Sequence, residues 1–192
     1  VALLSTAKQN IEEKYLLHQI ELLRAIARKC GPTGCSITNL SQNEILEQAV
    51  AISGLSCTEH PFGTIVSASP EQSITLTYNA NNVVHVYALP SLVARFVRTE
   101  TTTDKTALAE FVRPLFPLLK SEMFLAWDIR DLEQVLDTVV ETLSELGLVT
   151  LNGNQIALPS PESSEYNSLQ DIAKITGPTL ERFYIVIALL QQ

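Results

Sequence analysis

The segment LTYNANNVVHVYALPSLVARFV, Leu76 to Val97, constrains the fold more than any other. It passes from a strand-like alternation into an almost unbroken apolar run that holds one histidine, one internal proline and an arginine near its end. Such a run suits a membrane span, a buried helix or a catalytic strip around His85. From Asn82 to Arg98 the apolar residues lie all round a helix rather than on one stripe, the pattern of a helix buried on every side. His85, Pro90, Ser91 and Arg95 interrupt the run, leaving it short of the roughly 20 apolar residues that cross a bilayer. The expectation is therefore a buried helix, capped by Asn79 or Asn81 and kinked at Pro90, which cannot donate to the Val86 carbonyl.

On the N-terminal side, Val1 to Ser5 reads as the tail of a helix begun upstream. Asn10 with Glu13 approaches a capping box and introduces a helix from Ile11 to Lys29, which the CGPTGC segment ends. Ser41 and Glu44 form a cleaner capping box before a second helix that Gly54 stops. The loop LSCTEHPFG leads to two expected strands, Thr64 to Ser67 and Ser73 to Tyr78, the second from the alternation of Ile74, Leu76 and Tyr78.

Beyond the central run, TTTDKTALAEFV restarts a helix with Thr103 or Asp104 as cap, and Pro114 and Pro117 suit the first turn of another helix that reaches Phe124. Asp128 caps IRDLEQVLDTVVETLSELG, whose leucines and valines repeat at helical spacing until Gly147. Two short strands then flank Asn152 and Gly153, a hairpin signal, and a helix feeding directly into a hairpin resembles a wing. SPESSEYNSLQDIAKI and TLERFYIVIALL give the last two helices.

Composition narrows the partners. A net charge of −8 and a pI near 4.9 oppose non-specific binding to nucleic acid or anionic lipid, which depends on Lys and Arg neutralising phosphate. The chain is 46% hydrophobic and only 18% charged, with a mean hydropathy of +0.16, so part of its surface is expected to meet another body. Three cysteines offer no disulfide framework and suit a reducing compartment. With no signal peptide, no initiator Met and abrupt apolar ends, the chain reads as a piece of a longer protein.

Few residues are chemical candidates. His85 has Asn81 and Leu89 as its helical neighbours, neither an acid or base partner, so a structural histidine is the simpler reading. Cys30, Cys35, Cys57 and His60 have a spacing loose but permissible for zinc, and ordinary loop cysteines are the simpler reading. Arg95 and Arg98 suit the C-terminal end of a helix dipole, or a phosphate. The helix before the hairpin carries Asp131, Glu133, Asp137, Glu141 and Glu145 against Arg130, which argues against a DNA-binding wing. Phe124 and Trp127 could touch a membrane surface, but the basic face that accompanies such contacts is missing and the core reading leads.

From about Ile74 onward the sequence resembles the bacterial membrane-bound sn-glycerol-3-phosphate acyltransferase family. The resemblance is carried by Tyr78, Asn81, Asn82, His85, Leu89, Pro90, Ser91 and Leu92. It continues through Pro117, Leu118, Leu119, Lys120, Glu122, Phe124, Leu125, Trp127 and Asp128, then Gly147 and Leu148, and LERFYIVIALL from Leu180. The family transfers an acyl group from acyl-CoA or acyl carrier protein to the sn-1 hydroxyl of glycerol 3-phosphate, using a His-x4-Asp motif in which the carboxylate orients the histidine. Here the fifth residues after His18, His60 and His85 are Leu23, Ile65 and Pro90, so the motif is missing. The family's Gly- and Arg-containing phosphate boxes are not found either. The resemblance therefore implies a region C-terminal to the acyltransferase domain, and no catalytic or substrate-binding residue carries over to it.

The combined expectation is an α+β fold, mainly α-helical, with a small winged-helix-like β-hairpin near 148–158. A helical segment over 1–73 with an irregular loop precedes a helical domain over 74–192. The expected role is non-catalytic support of the acyltransferase domain of the same chain, with no cofactor, metal or nucleic acid. Through that parent come acyl-CoA or acyl carrier protein and the membrane surface, at the cytoplasmic face of the inner membrane. Two alternatives are a winged-helix-like protein- or nucleic-acid-interaction module and an enzyme with its own site at His85 and Arg95.

Overall fold

The computed structural model describes residues 1–5, 9–99 and 103–191. The chain divides into two compact units, Val1–Val86 and Tyr87–Gln192. The fold is mainly α-helical α+β, as expected: eight α-helices among the described residues and two three-stranded antiparallel sheets.

In the first unit, a 3-10 turn at Ala2–Ser5 precedes strand β1 (Asn10–Glu12) and helix α1 (Glu13–Cys30). Helix α2 (Gln42–Ser53), strands β2 (Ser56–His60) and β3 (Gly63–Ser67) and helix α3 (Pro70–Asn81) follow. The sheet order is β1-β3-β2, with Ile11 opposite Val66 and Cys57 opposite the same residue on the other side. Ile11 and Val66 form a core with Leu3, Leu16, Leu46 and Leu55, so the sheet has one packed face.

The Ser41–Glu44 capping box is present. The Ser41 hydroxyl accepts from the Glu44 N–H at 3.3 Å, and the Glu44 carboxylate accepts from the Ser41 N–H at 2.7 Å. Gly54 then closes α2 in the left-handed region at φ 64°.

Five local expectations for this unit are corrected. The Asn10–Glu13 cap does not form, because residues 10–12 pair with β3 as a strand and α1 begins at Glu13 behind a Glu12 N-cap that makes no side-chain cap bond. The 3-10 turn at Ala2–Ser5 replaces the expected helix tail. The loop through Cys57 and His60 is strand β2, exposed at every residue and so without the one-sided alternation that reveals a strand.

The expected strand Ser73 to Tyr78 is helix α3. Ser69 caps it, Pro70 fills its first turn and the Gln72 side-chain Oε1 accepts from the Ser69 N–H at 2.7 Å, a capping box that outweighs a three-residue alternation. The Gln72 side-chain amide also donates to the Gly54 carbonyl at 2.5 Å, tying α3 to the end of α2. Asn79 and Asn81 lie inside α3 rather than capping the next helix.

The expected central helix is α4 (Val84–Thr99), with Pro90 inside it. Every residue from Ala88 to Ala94 is buried, as an all-round apolar pattern requires. The second unit continues with β4 (Thr103–Asp104), α5 (Lys105–Met123), a 3-10 turn at Ile129–Asp131 and α6 (Leu132–Glu145). Strands β5 (Thr150–Asn152) and β6 (Gln155–Ala157) and helices α7 (Ser164–Lys174) and α8 (Gly177–Leu190) complete it. Of the TTTDK stretch, residues 101–102 lie outside the described residues, and Asp104 is the cap, accepting from the Ala107 N–H at 2.8 Å.

Pro114 and Pro117 do not start a new helix; both lie inside α5, whose buried residues Leu108, Val112, Phe116, Leu119 and Met123 keep helical spacing through them. Asp128 caps the 3-10 turn rather than α6 directly. α6 ends in a Schellman closure: the Leu148 N–H donates to Leu143 O at 2.9 Å and the Gly147 N–H to Ser144 O at 3.0 Å, with Gly147 at φ 72°. This reversal delivers the chain into the hairpin, where Gly153 at φ 62° takes the first of two turn positions between Asn152 and Gln155. β6 also pairs with β4, giving the order β4-β6-β5.

Candidate functional site

The four residues whose spacing permits zinc do not come together. Cys30 is buried at the end of α1, whereas Cys35, Cys57 and His60 are exposed, and among the described residues no group of three His, Cys, Asp or Glu side chains is placed to hold an ion. Cys57 and His60 are three residues apart on β2, an odd separation that sends side chains to opposite faces. The His60 ring instead tilts against Phe62, with centroids 5.5 Å apart, and its Nδ1 accepts from the Phe62 N–H at 3.5 Å.

Among the residues that carry the family resemblance, Ser91 and the Lys120–Asp128 pair prove to be joints. Ser91 is fully buried in α4, and its hydroxyl meets the Thr176 hydroxyl at 2.9 Å, accepts from the Thr176 N–H at 3.1 Å and donates to Ala173 O at 3.4 Å. One donor and two lone pairs are thereby used. Thr176 is the N-cap of α8 and its carbonyl accepts the first helical bond from the Leu180 N–H at 3.0 Å, so Ser91 fixes where α7 ends and α8 begins.

Arg95 lies one turn further along α4, against the same junction: a Cβ at Gly177 would come within 3.3 Å of Arg95 Nη2. Its Nε is buried without a hydrogen-bond partner among the described residues. Arg98 lies exposed in the last turn of α4, where a cation meets the helix dipole favourably. His85, the second residue of the same helix, is half-buried.

Further along, Leu119 and Leu125 are buried and Lys120 pairs with Asp128 at 3.1 Å, which bridges the end of α5 to the following turn. Phe124 is 87% exposed, in the left-handed region at φ 53°. Trp127 is half-buried.

A cleft of about 390 Å³ opens between α5, α6 and the hairpin turn, lined by Lys105, Glu110, Arg113, Glu133, Asp137 and Asn154 among others. Its charges face one another, Lys105 to Asp137 at 2.7 Å and Arg113 to Glu133 at 2.6 Å. Such exposed pairs contribute about 0–1 kcal/mol each. The lining pairs no nucleophile with a base. α6 also exposes Glu141 and Glu145, so this side of the hairpin unit repels phosphate.

The feature that departs most from a self-contained domain is α8. Tyr184, Ile185, Val186, Ile187, Leu189 and Leu190 are between 49% and 81% exposed. Each such side chain gains about 1.5–3 kcal/mol when fully buried, so an uncovered run of this length marks a surface that meets another body. The sequence places this helix and its composition implies an uncovered apolar surface without locating it, because a helix apolar all round reads as core until its neighbours are known. No helix among the described residues is long and apolar enough to cross a membrane.

Comparison with known proteins agrees with the resemblance. The chain aligns with glycerol-3-phosphate acyltransferase of Pseudomonas aeruginosa strain UCBPP-PA14 at 31% identity over 191 residues, 99% of this chain and 23% of that protein. Proteins of the same name from Ectopseudomonas mendocina strain ymp and Pseudomonas fluorescens strain SBW25 align at 29% identity over 193 residues, with the same coverage. The chain thus spans about a quarter of the length of these curated relatives. No solved structure matches. The family model described as the glycerol-3-phosphate acyltransferase C-terminal region matches residues 1–192, and the chain belongs to that family.

Proposed function

We propose that this segment is a non-catalytic companion of the acyltransferase domain in a longer glycerol-3-phosphate acyltransferase, packing on that domain and holding it in its active form. In this reading the parent transfers an acyl group from acyl-CoA or acyl carrier protein to glycerol 3-phosphate, at the cytoplasmic face of the inner membrane. The observation that carries it is the uncovered apolar helix α8 on a well-packed scaffold. A segment devoted to packing keeps apolar surface for its partner, while its polar groups bond internally, as Ser91 and Thr176 do.

The test separates the two parts of the parent chain. Acylation of glycerol 3-phosphate is measured for the full-length parent in membranes, for a parent lacking residues 1–192, and for the truncated parent supplied with this segment in trans. Loss of activity on truncation, with binding and recovery on addition, is the expected result. Full activity without the segment overturns the reading.

A further inference from the structure

We infer that the distal part of α8, Phe183 to Leu190, is an insertion arm enclosed on all sides by the parent polypeptide outside residues 1–192. The inference rests on the companion reading above and names the element that makes the contact.

The exposed positions decide the shape of the occupant. At about 100° per residue, Tyr184, Ile185, Val186 and Ile187 point in four directions that together circle the helix, and Leu189 and Leu190 fill the gaps between them. All six are about half exposed or more, and only Phe183 and Ala188 of the arm are partly buried, so none of these directions is fully covered within this chain. After Arg182 the helix has no charged residue, so it keeps no face for water.

A bilayer fits this poorly. No helix among the described residues is long and apolar enough to cross a membrane. A helix lying in the interface needs a polar, usually basic face, which this one lacks, and the net charge of −8 opposes anionic lipid. A second copy fits poorly too, because two helices laid side by side cover only the facing half of each. A surrounding protein groove covers every direction. The relatives align with 99% of this chain but with only 23% of their own length, so more than three quarters of such a polypeptide is available to form the groove.

The experiment places a photo-reactive benzoylphenylalanine at Ile185 or at Ile187 in the full-length parent, in membranes of the cell that makes it. The two positions lie about 200° apart round the helix. Both probes are expected to cross-link within the same molecule to peptides outside residues 1–192, identified by mass spectrometry. The double variant Ile185→Asp, Ile187→Asp should abolish those cross-links from a probe at Leu189. Capture of phospholipid, of an isotope-labelled second copy or of residues within this segment overturns the inference, as does cross-linking from one side only or none at all. If truncation abolishes acyl transfer but the probes go elsewhere, the arm is wrong and the companion role stands. If the probes behave as expected while acyl transfer ignores the segment, the companion role is wrong and the contact stands.

Discussion

Removing the Ser91 hydroxyl tests whether α4 organises the second unit through the α7–α8 junction. In Ser91→Ala the buried Thr176 N–H loses its acceptor, and the Thr176 hydroxyl and Ala173 carbonyl lose theirs and their donor. Thr176 is fully buried, so water cannot substitute. The hydroxyl of Thr176 can rotate, but its N–H is fixed by the backbone; that one orphaned donor sets a loss of about 1–3 kcal/mol. Alanine is smaller than serine and introduces no clash, so the cost reports the polar joint rather than packing. Urea unfolding followed by the fluorescence of Trp127, the chain's one tryptophan, reads the unit that holds the joint. The expected result is a lower midpoint at unchanged slope. A change under about 0.5 kcal/mol, the range of an ordinary surface substitution, would refute the argument. Thr176→Val provides a cycle: coupling between the two hydroxyls should appear as non-additivity with Ser91→Ala.

Three further outcomes are expected. Gly147→Ala forces a Cβ into the left-handed region with no compensating contact closer than 3.7 Å, and should cost about 1–2 kcal/mol in the same unfolding assay. The Glu44 carboxyl lies below its ordinary value of 4.5 because the Ser41 backbone N–H, then its hydroxyl, bond to the charged form. That stabilisation is present above 4.5 and lost as pH falls through the lower folded value, so amide-exchange protection of Ser41 should drop in acid in the wild type, and Glu44→Gln should lack that step. Ile185→Glu should leave the stability of the 192-residue chain within about 0.5 kcal/mol while reducing its dye binding and self-association; a large loss of stability would mean the residue is covered after all.

The sequence by itself determined the elements whose signals are local. Ser41 with Glu44, Asp104, Gly147 and the turn at Gly153 act on backbone groups within a few residues, and each does in the structure what its chemistry implies. The all-round apolar pattern of α4 likewise called for a covered helix, without saying what covers it. The family was legible as well, from residues of which some, such as Ser91, Leu92 and Leu119, are joint or core and others, such as Tyr78, Phe124 and Tyr184, are exposed.

Only the tertiary structure decided the rest. Residues 10–12 became a strand because β3 supplied hydrogen bonds that a weak cap at Asn10 could not match. Pro114 and Pro117 stayed inside α5 because the buried stripe from Leu108 to Met123 holds the helix through them, where propensity alone would stop it. The cysteines whose spacing permitted zinc parted because α1 buried Cys30, while Cys35 lies exposed in the loop before α2 and Cys57 exposed on β2. α4 and α8 carry the same apolar signature, and nothing local distinguishes them. One is enclosed by its own chain and the other is not, since burial belongs to the neighbours that a helix meets and not to the helix itself.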